Sequence, residues 1–125
     1  MLKAILAAFA LAAIAKLFLF DVVIADGNSM EPTISSGAVL FVNKARYGLR
    51  LPFGNRYIIR WSQPEEGDVV VFLSPTGGAT VKRVSSPPLN GMFIARGDNP
   101  SISYDSRSFG PVSVDAVIGR VMGGR

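Results

Sequence analysis

Seven short runs after residue 20 limit what this chain can fold into. "DVVIADG", "AVLFVN", "RYIIRW", "GDVVVFL", "ATVKRVS", "GMFIARG" and "AVIGRVM" are rich in Val, Ile or Phe, and Gly, Pro, Asn or Ser bounds them. Such residues suit a pleated, half-buried surface, and the bounding residues suit turns. Seven strands at this spacing predict a mainly β domain, an antiparallel sheet of sandwich or barrel-like form. No helical period, internal repeat or low-complexity tract is visible after residue 20. At 125 residues the chain suits one such domain.

The N-terminus is of a different kind. Within residues 4–20 the only charge is Lys16. Three readings are open for "MLKAILAAFALAAIAKLFLFDVVIA". A cleaved signal peptide would use Lys3, the apolar residues 4–15 and an Ala13-x-Ala15 site. A helix of a soluble core would show a polar face, and this one has almost none. A transmembrane anchor would use Ala4 to Phe20, roughly 25 Å at ~1.5 Å per residue, a little short of a ~30 Å hydrocarbon core. Lys16 lies close enough to the end of the run to snorkel. The apolar segment runs into "DVVIADG" with no polar linker, which favours the anchor. The division expected is residues 1–20 as a single transmembrane helix and 21–125 as the β domain. On this reading one short anchor begins almost at Met1 and leaves no cytoplasmic domain. Lys3 and the N-terminal amine favour the N-terminus inside, whereas Lys16 and the later Arg residues pull slightly the other way.

Charge adds little. The formal net charge is +4, but Lys3 and Lys16 belong to the apolar segment. From residue 21 onward the basic residues are scattered, without clusters or interleaved aromatics, so nucleic acid is not an expected partner. Two polar stretches stand out: the basic, turn-rich 43–55 and the long 96–112, with two Asp, two Arg and four Ser. Loops on β scaffolds often carry function, although a surface loop pinned by its own hydrogen bonds reads the same way.

The chain has no Cys and no His. Disulfides, thiolate chemistry and a Ser-His-Asp triad are therefore excluded. If Ser29 in "GNSMEPT" is a nucleophile, its proton must go to another base. A lysine serves when burial brings its pKa down from about 10.4. Of the four lysines, Lys3 and Lys16 sit in the apolar segment and Lys44 sits in a basic loop. Lys82, in "ATVKRVS", is the one on a strand with apolar neighbours, and alternation puts Arg83 on the other face. Taken alone, this pattern favours an ordinary solvated strand lysine.

Four segments in order, "GNSMEPT", "EEGDVVVF", "VKRV" and "GDNPSISYDSRSFGPV", resemble the type I signal peptidases in a compact form. These are the serine-lysine enzymes that remove export signals. "YGLRLPF" and the basic residue before "LFLF" resemble family features too. The resemblance implies Ser29 as nucleophile, Lys82 as general base and Ser103 as the hydroxyl that orients the lysine amine. It implies ion pairs between Asp105 and Arg107 and between Arg83 and Asp98. Val23, Ala25, Met30, Ile34 and Val81 would line the substrate cleft, and the Ser29 N–H would face the oxyanion. Many members carry a serine two residues before the nucleophile, where this chain has Gly27, so the second oxyanion donor is open. The family's long β insertion between the lysine box and the Gly-Asp-Asn box is missing, as "KRVSSPPLNGMFIARGDN" crosses directly.

The function implied is removal of N-terminal signal peptides from exported preproteins, without metal or cofactor. The expected partners are those preproteins and the lipid bilayer; the oligomeric state is open. The expected location is the plasma membrane, single-pass, with the β domain on the extracytoplasmic side. A related serine-lysine peptidase dedicated to one substrate, such as a conjugative-pilin processing enzyme, is the alternative.

Overall fold

In a computed structural model, residues 1–51 and 56–123 of the chain are described. Residues 52–55, which include the end of "YGLRLPF", and 124–125 lie outside them. Helix α1 (Leu2–Phe18) leads into strands β1 (Phe20–Ile24), β2 (Val39–Asn43), β3 (Gly48–Arg50), β4 (Tyr57–Arg60), β5 (Val69–Leu73) and β6 (Ala79–Val84). Then follow β7 (Met92–Phe93), β8 (Ala95–Arg96), the short helix α2 (Ser106–Phe109), β9 (Val112–Ser113), a 3-10 turn (Val114–Ala116) and β10 (Val117–Val121).

The domain is mainly β, and its strand pairs are antiparallel. A six-stranded sheet runs β1-β2-β10-β5-β6-β8, and two-stranded ribbons form from β3 with β4 and from β7 with β9. β5 is the strand on which the sheet is built. Val69, Val70, Val71 and Phe72 are all buried, so the strand reads as an unbroken apolar run rather than an alternation. Its pleat feeds two clusters. Val70 and Phe72 pack with Tyr47, Val84, Phe93 and Val117, whereas Val69 and Val71 pack with Met30, Ile34, Leu40, Val42 and Val121. Each such side chain contributes roughly 1.5–3 kcal/mol when fully buried.

A buried carboxylate ties the β3–β4 ribbon to this sheet. Asp68 accepts hydrogen bonds from the Tyr47 hydroxyl at 2.7 Å and the Glu65 N–H at 3.0 Å, and Arg120 Nε lies 3.3 Å from it. Burial, and then the hydrogen bond to Asp68, push the Tyr47 phenol well above its usual range. Arg60 pairs with Asp115 and stands over the Tyr57 ring, which holds β4 against the 3-10 turn.

Three sequence expectations need correction. Helix does occur after residue 20: α2 and the 3-10 turn are too short to carry a period, and each is started by a side chain, Asp105 accepting from Arg107 N–H and Ser113 from Asp115 N–H. "GMFIARG" is two strands rather than one, because Phe93 pairs with Val112 while Ala95 pairs with Val84. The expected transmembrane helix is shorter than the apolar run. α1 spans 17 residues, and among the described residues no helix is long and apolar enough to cross a membrane. The run stops being helical because Phe20–Ile24 is taken up by pairing with β2, Phe20 opposite Asn43 and Ile24 opposite Val39.

α1 buries none of its residues and has no polar face. The outward row of β1 (Phe20, Val22, Ile24) and its neighbours Val39 and Phe41 on β2 are exposed as well. Val22 faces Phe41 and Ile24 faces Val39 across the two strands, so these side chains form a contiguous apolar surface next to the helix.

Candidate active site

The segment carrying Ser29 is pinned by its apolar neighbours. After β1 the chain closes on β2 through Ala25 N–H to Ala38 O at 2.8 Å and Gly37 N–H to Ala25 O at 2.7 Å. Within that loop, Ile34 N–H donates to Met30 O at 2.9 Å, a single helical turn that puts Met30 and Ile34 side by side in the second cluster. Ser29 stands at the start of this turn. From the far side, Asn99 clamps it: its N–H donates to Ser29 O at 2.8 Å, and its side-chain amide donates to Asn28 O at 3.2 Å.

Lys82 reaches the same point from β6. Its Nζ donates to Ser29 Oγ at 2.9 Å, although the two residues stand 53 apart in the chain. Lys82 is only 5 % exposed. Burial lowers its pKa from the ordinary lysine value, and the negative charge of Asp105 partly opposes this. A lysine and a serine at hydrogen-bond distance, the lysine biased toward its neutral form, are what nucleophilic catalysis without histidine requires.

A carboxylate organises the wall behind the lysine. Asp105 is fully buried. It accepts from Ser103 Oγ at 2.7 Å, Gly97 N–H at 2.9 Å, Arg107 N–H and Nε at 3.0 Å, and Arg107 Nη2 at 2.9 Å. Burial pushes this carboxyl upward, but the hydrogen bonds from Arg107, Gly97 and Ser103 outweigh it and hold the group well below the usual carboxylate range. Ser103 thus gives its hydroxyl proton to Asp105, while Lys82 Nζ turns to Ser29. Gly97 makes the crowding tolerable: a Cβ there would lie 2.2 Å from Ser103 Oγ and 2.6 Å from Ser29 O.

Arg83, on the other face of β6, grips Asp98 with two prongs, Nε to Oδ1 at 2.9 Å and Nη2 to Oδ2 at 2.8 Å, and donates from Nη1 to Gly67 O at 2.8 Å. The hydrogen bond from Arg83 holds the Asp98 carboxyl low against the opposing effect of burial, with help from the Thr33 hydroxyl. The turn before β5, β6 itself and the Gly-Asp-Asn loop are stapled together here.

The serine and lysine open into a cleft of about 280 Å³. Val23, Ala25, Met30, Ile34 and Val81 all line it, and so does Gly27. Gly27 has a φ of +81°, in the left-handed region, and a Cβ added there would meet nothing within 4 Å. This position offers no side-chain hydroxyl to the cleft.

The family model for signal peptidases, peptidase S26, matches residues 1–88. This chain belongs to the S26 signal peptidase family. Signal peptidase I of Pseudomonas fluorescens is 33 % identical over 97 residues, which are 76 % of this chain and 31 % of that protein. Mitochondrial inner membrane protease subunit 1 of Xenopus tropicalis is 35 % identical over 118 residues, covering 83 % of this chain and 68 % of the relative. Signal peptidase I of Bacillus caldolyticus is 28 % identical over 147 residues, covering 85 % and 79 %. The chain spans about a third of the length of the Pseudomonas protein.

The S26 match includes Ser29 and Lys82 but ends before the loop that carries Asp98, Ser103, Asp105 and Arg107. Four residues of this site escape the sequence reading. Asn99 and Gly97 sit inside a recognised box, but their parts depend on backbone contacts with Ser29 that no spacing announces. Tyr104, in the same box between Ser103 and Asp105, and Thr80, just before the lysine box, also line the cleft, but the resemblance gives neither position a role.

Proposed function

We propose that the protein is a membrane-associated signal peptidase that cuts N-terminal signal peptides from exported preproteins by a Ser29/Lys82 dyad. The observation that carries this reading is the 2.9 Å contact between Lys82 Nζ and Ser29 Oγ in a site where the lysine is buried. Neutral Lys82 takes the Ser29 proton as the hydroxyl attacks the scissile carbonyl. The resulting ammonium gives that proton to the leaving amine, and the amine so regenerated activates water to release the acyl group. The Ser29 N–H is assigned to the developing oxyanion. Ser103, its proton committed to Asp105, has lone pairs left to accept from the lysine amine, which directs the amine's own lone pair to Ser29. Asp105 with Arg107 and Asp98 with Arg83 hold this wall in place. The recess of Val23, Ala25, Met30, Ile34 and Val81 is shallow and apolar, so small side chains at positions −1 and −3 of the substrate fit it and large ones do not.

Residues 1–20 are assigned to membrane attachment and 21–125 to the peptidase domain, with the domain on the extracytoplasmic side where export signals emerge. In support, α1 has no polar face, and the apolar surface of β1 and β2 continues from it beside the cleft. The test is incubation of the purified full chain, in detergent, with a panel of preproteins and mapping of the cut sites. Single cuts after small residues at the end of the export signal are expected. Intact preproteins, or cuts that persist in Ser29→Ala, would refute the reading.

A further inference from the structure

The pleat of β6 sorts the cleft into two sides. Lys82 pairs with Val70 and Thr80 with Phe72, and both partners belong to the cluster around Tyr47 and Phe93. Val81 pairs with Val71, which belongs to the opposite cluster with Met30 and Ile34. β8 pairs only with Arg83 and Val84, so along Ala79–Lys82 the outer edge of β6 has no strand partner among the described residues. Those same four residues border the cleft. An extended peptide laid along this edge gains main-chain hydrogen bonds and alternates its side chains between the two sides. With positions −1 and −3 seated in the recess of Met30, Ile34 and Val81, position −2 points to the side of Lys82 and Thr80.

Tyr104 stands on that side. It lines the cleft and is 56 % exposed, so its ring is available to a ligand. It is also propped from below. Its ring meets Phe109 edge-on at 5.2 Å, and Phe109 meets Phe72, the partner of Thr80, at 6.3 Å. An aromatic ring held against the core on one face and open on the other is a wall for an apolar side chain. The acid-base chemistry above makes no use of it. Asp26 also lines the cleft and makes it less hospitable to a carboxylate.

We propose that Tyr104 is a specificity residue whose ring receives the side chain at position −2 of the substrate and selects aromatic or branched apolar groups there over glycine or aspartate. This rests on the peptidase reading above. The test uses the full chain in detergent and peptides identical except at −2, which is Phe, Leu, Gly or Asp, with a second pair varying −1 between Ala and Leu. kcat/KM is measured for the wild type, Tyr104→Ala and Tyr104→Phe. The wild type should cleave the Phe and Leu peptides about fivefold to tenfold better than the Gly peptide, the scale of one aromatic contact. Tyr104→Ala should flatten that spread while keeping the preference for Ala at −1, and Tyr104→Phe should retain both. A flat −2 profile in the wild type, or one that survives Tyr104→Ala, overturns the proposal and leaves the peptidase reading standing. Relaxation at −1 in Tyr104→Ala overturns the assignment of sides. Failure of the wild type to cut any peptide refutes the peptidase reading itself, and this inference falls with it.

Discussion

Two lysines of this chain are pushed below the ordinary lysine pKa, and they lie in different regions of the sheet. Lys82 is in the cleft, with burial as the main cause and Asp105 opposing it. Lys44 follows β2, at the end of the sheet near α1; burial again lowers it, Asp21 opposes, and Lys16 and Arg50 add to the lowering. The direction of the shift is the same, so desolvation alone does not mark a base. What separates them is what each amine faces. Lys82 has a serine hydroxyl at 2.9 Å and a wall of fixed hydrogen bonds behind it, whereas Lys44 is surrounded by other charges. Geometry picks out the catalytic candidate, and the pKa shift only makes it usable.

Removing either partner of the Ser29–Lys82 contact should have the largest effect. Ser29→Ala and Lys82→Ala should each lower kcat/KM on a preprotein by at least about a thousandfold, since residues of one catalytic unit fail together. Circular dichroism and thermal melts should show both variants folded. A Lys82→Ala enzyme that cuts robustly at neutral pH would return Lys82 to the same class as Lys44.

Asp105→Ala comes next, and its first effect is on folding. It leaves Arg107, Ser103 and the Gly97 N–H without their common acceptor, and a buried polar group left unsatisfied costs about 1–3 kcal/mol. A lowered melting temperature together with reduced turnover is expected. The sign of the pH effect follows from the depressed Asp105 pKa: its contribution to stability is complete above the unfolded carboxylate value of about 3.9 and is lost as pH falls below it. Acid melts of the wild type and Asp105→Asn should therefore draw together progressively as pH falls from that value toward the lower pKa of the folded state.

Ser103→Ala should lower turnover by about a hundredfold or less, because it misplaces the base without deleting it. Ser101, Ser106 and Ser108 provide controls of the same composition in the same loop. Ser106→Ala carries a reservation of its own, since Ser106 Oγ accepts from Ala95 N–H at 2.9 Å and its loss also affects β8. A Ser103→Ala variant as active as Ser101→Ala would detach Ser103 from the dyad. Lys44→Met, the smallest effect, should leave kcat/KM within about twofold of wild type.

How much of this was legible in the sequence differs between the two regions as well. The central strands were readable because β5 and β6 carry dense Val and Phe between turn residues. β3 and β9 were not, since two or three residues give no period, and β9 exists only because Phe93 finds Val112. The end of α1 was misplaced because an apolar run of Leu and Phe reads equally well as helix or strand until β2 claims it. Ser29 and Lys82 came from boxes whose spacing carries a resemblance, not from local chemistry, for which Lys82 looked like any strand lysine. Its burial comes from contacts across the chain, with Ser29 on one side and the 97–105 loop on the other. Tyr104 stands inside the last box, yet nothing there marks it, because its place depends on its contact with Phe109 and the contact of Phe109 with Phe72.

The most direct measurement is the pH dependence of kcat/KM in the Lys44→Met background, where only one of the two lowered lysines remains. Activity should rise with pH along an acidic limb set by deprotonation of Lys82, and that limb should lie below the ordinary lysine value of about 10.4 and be unchanged from wild type. A limb near 10.4, or one that moves when Lys44 is replaced, would mean that Lys82 is not the base that takes the proton of Ser29.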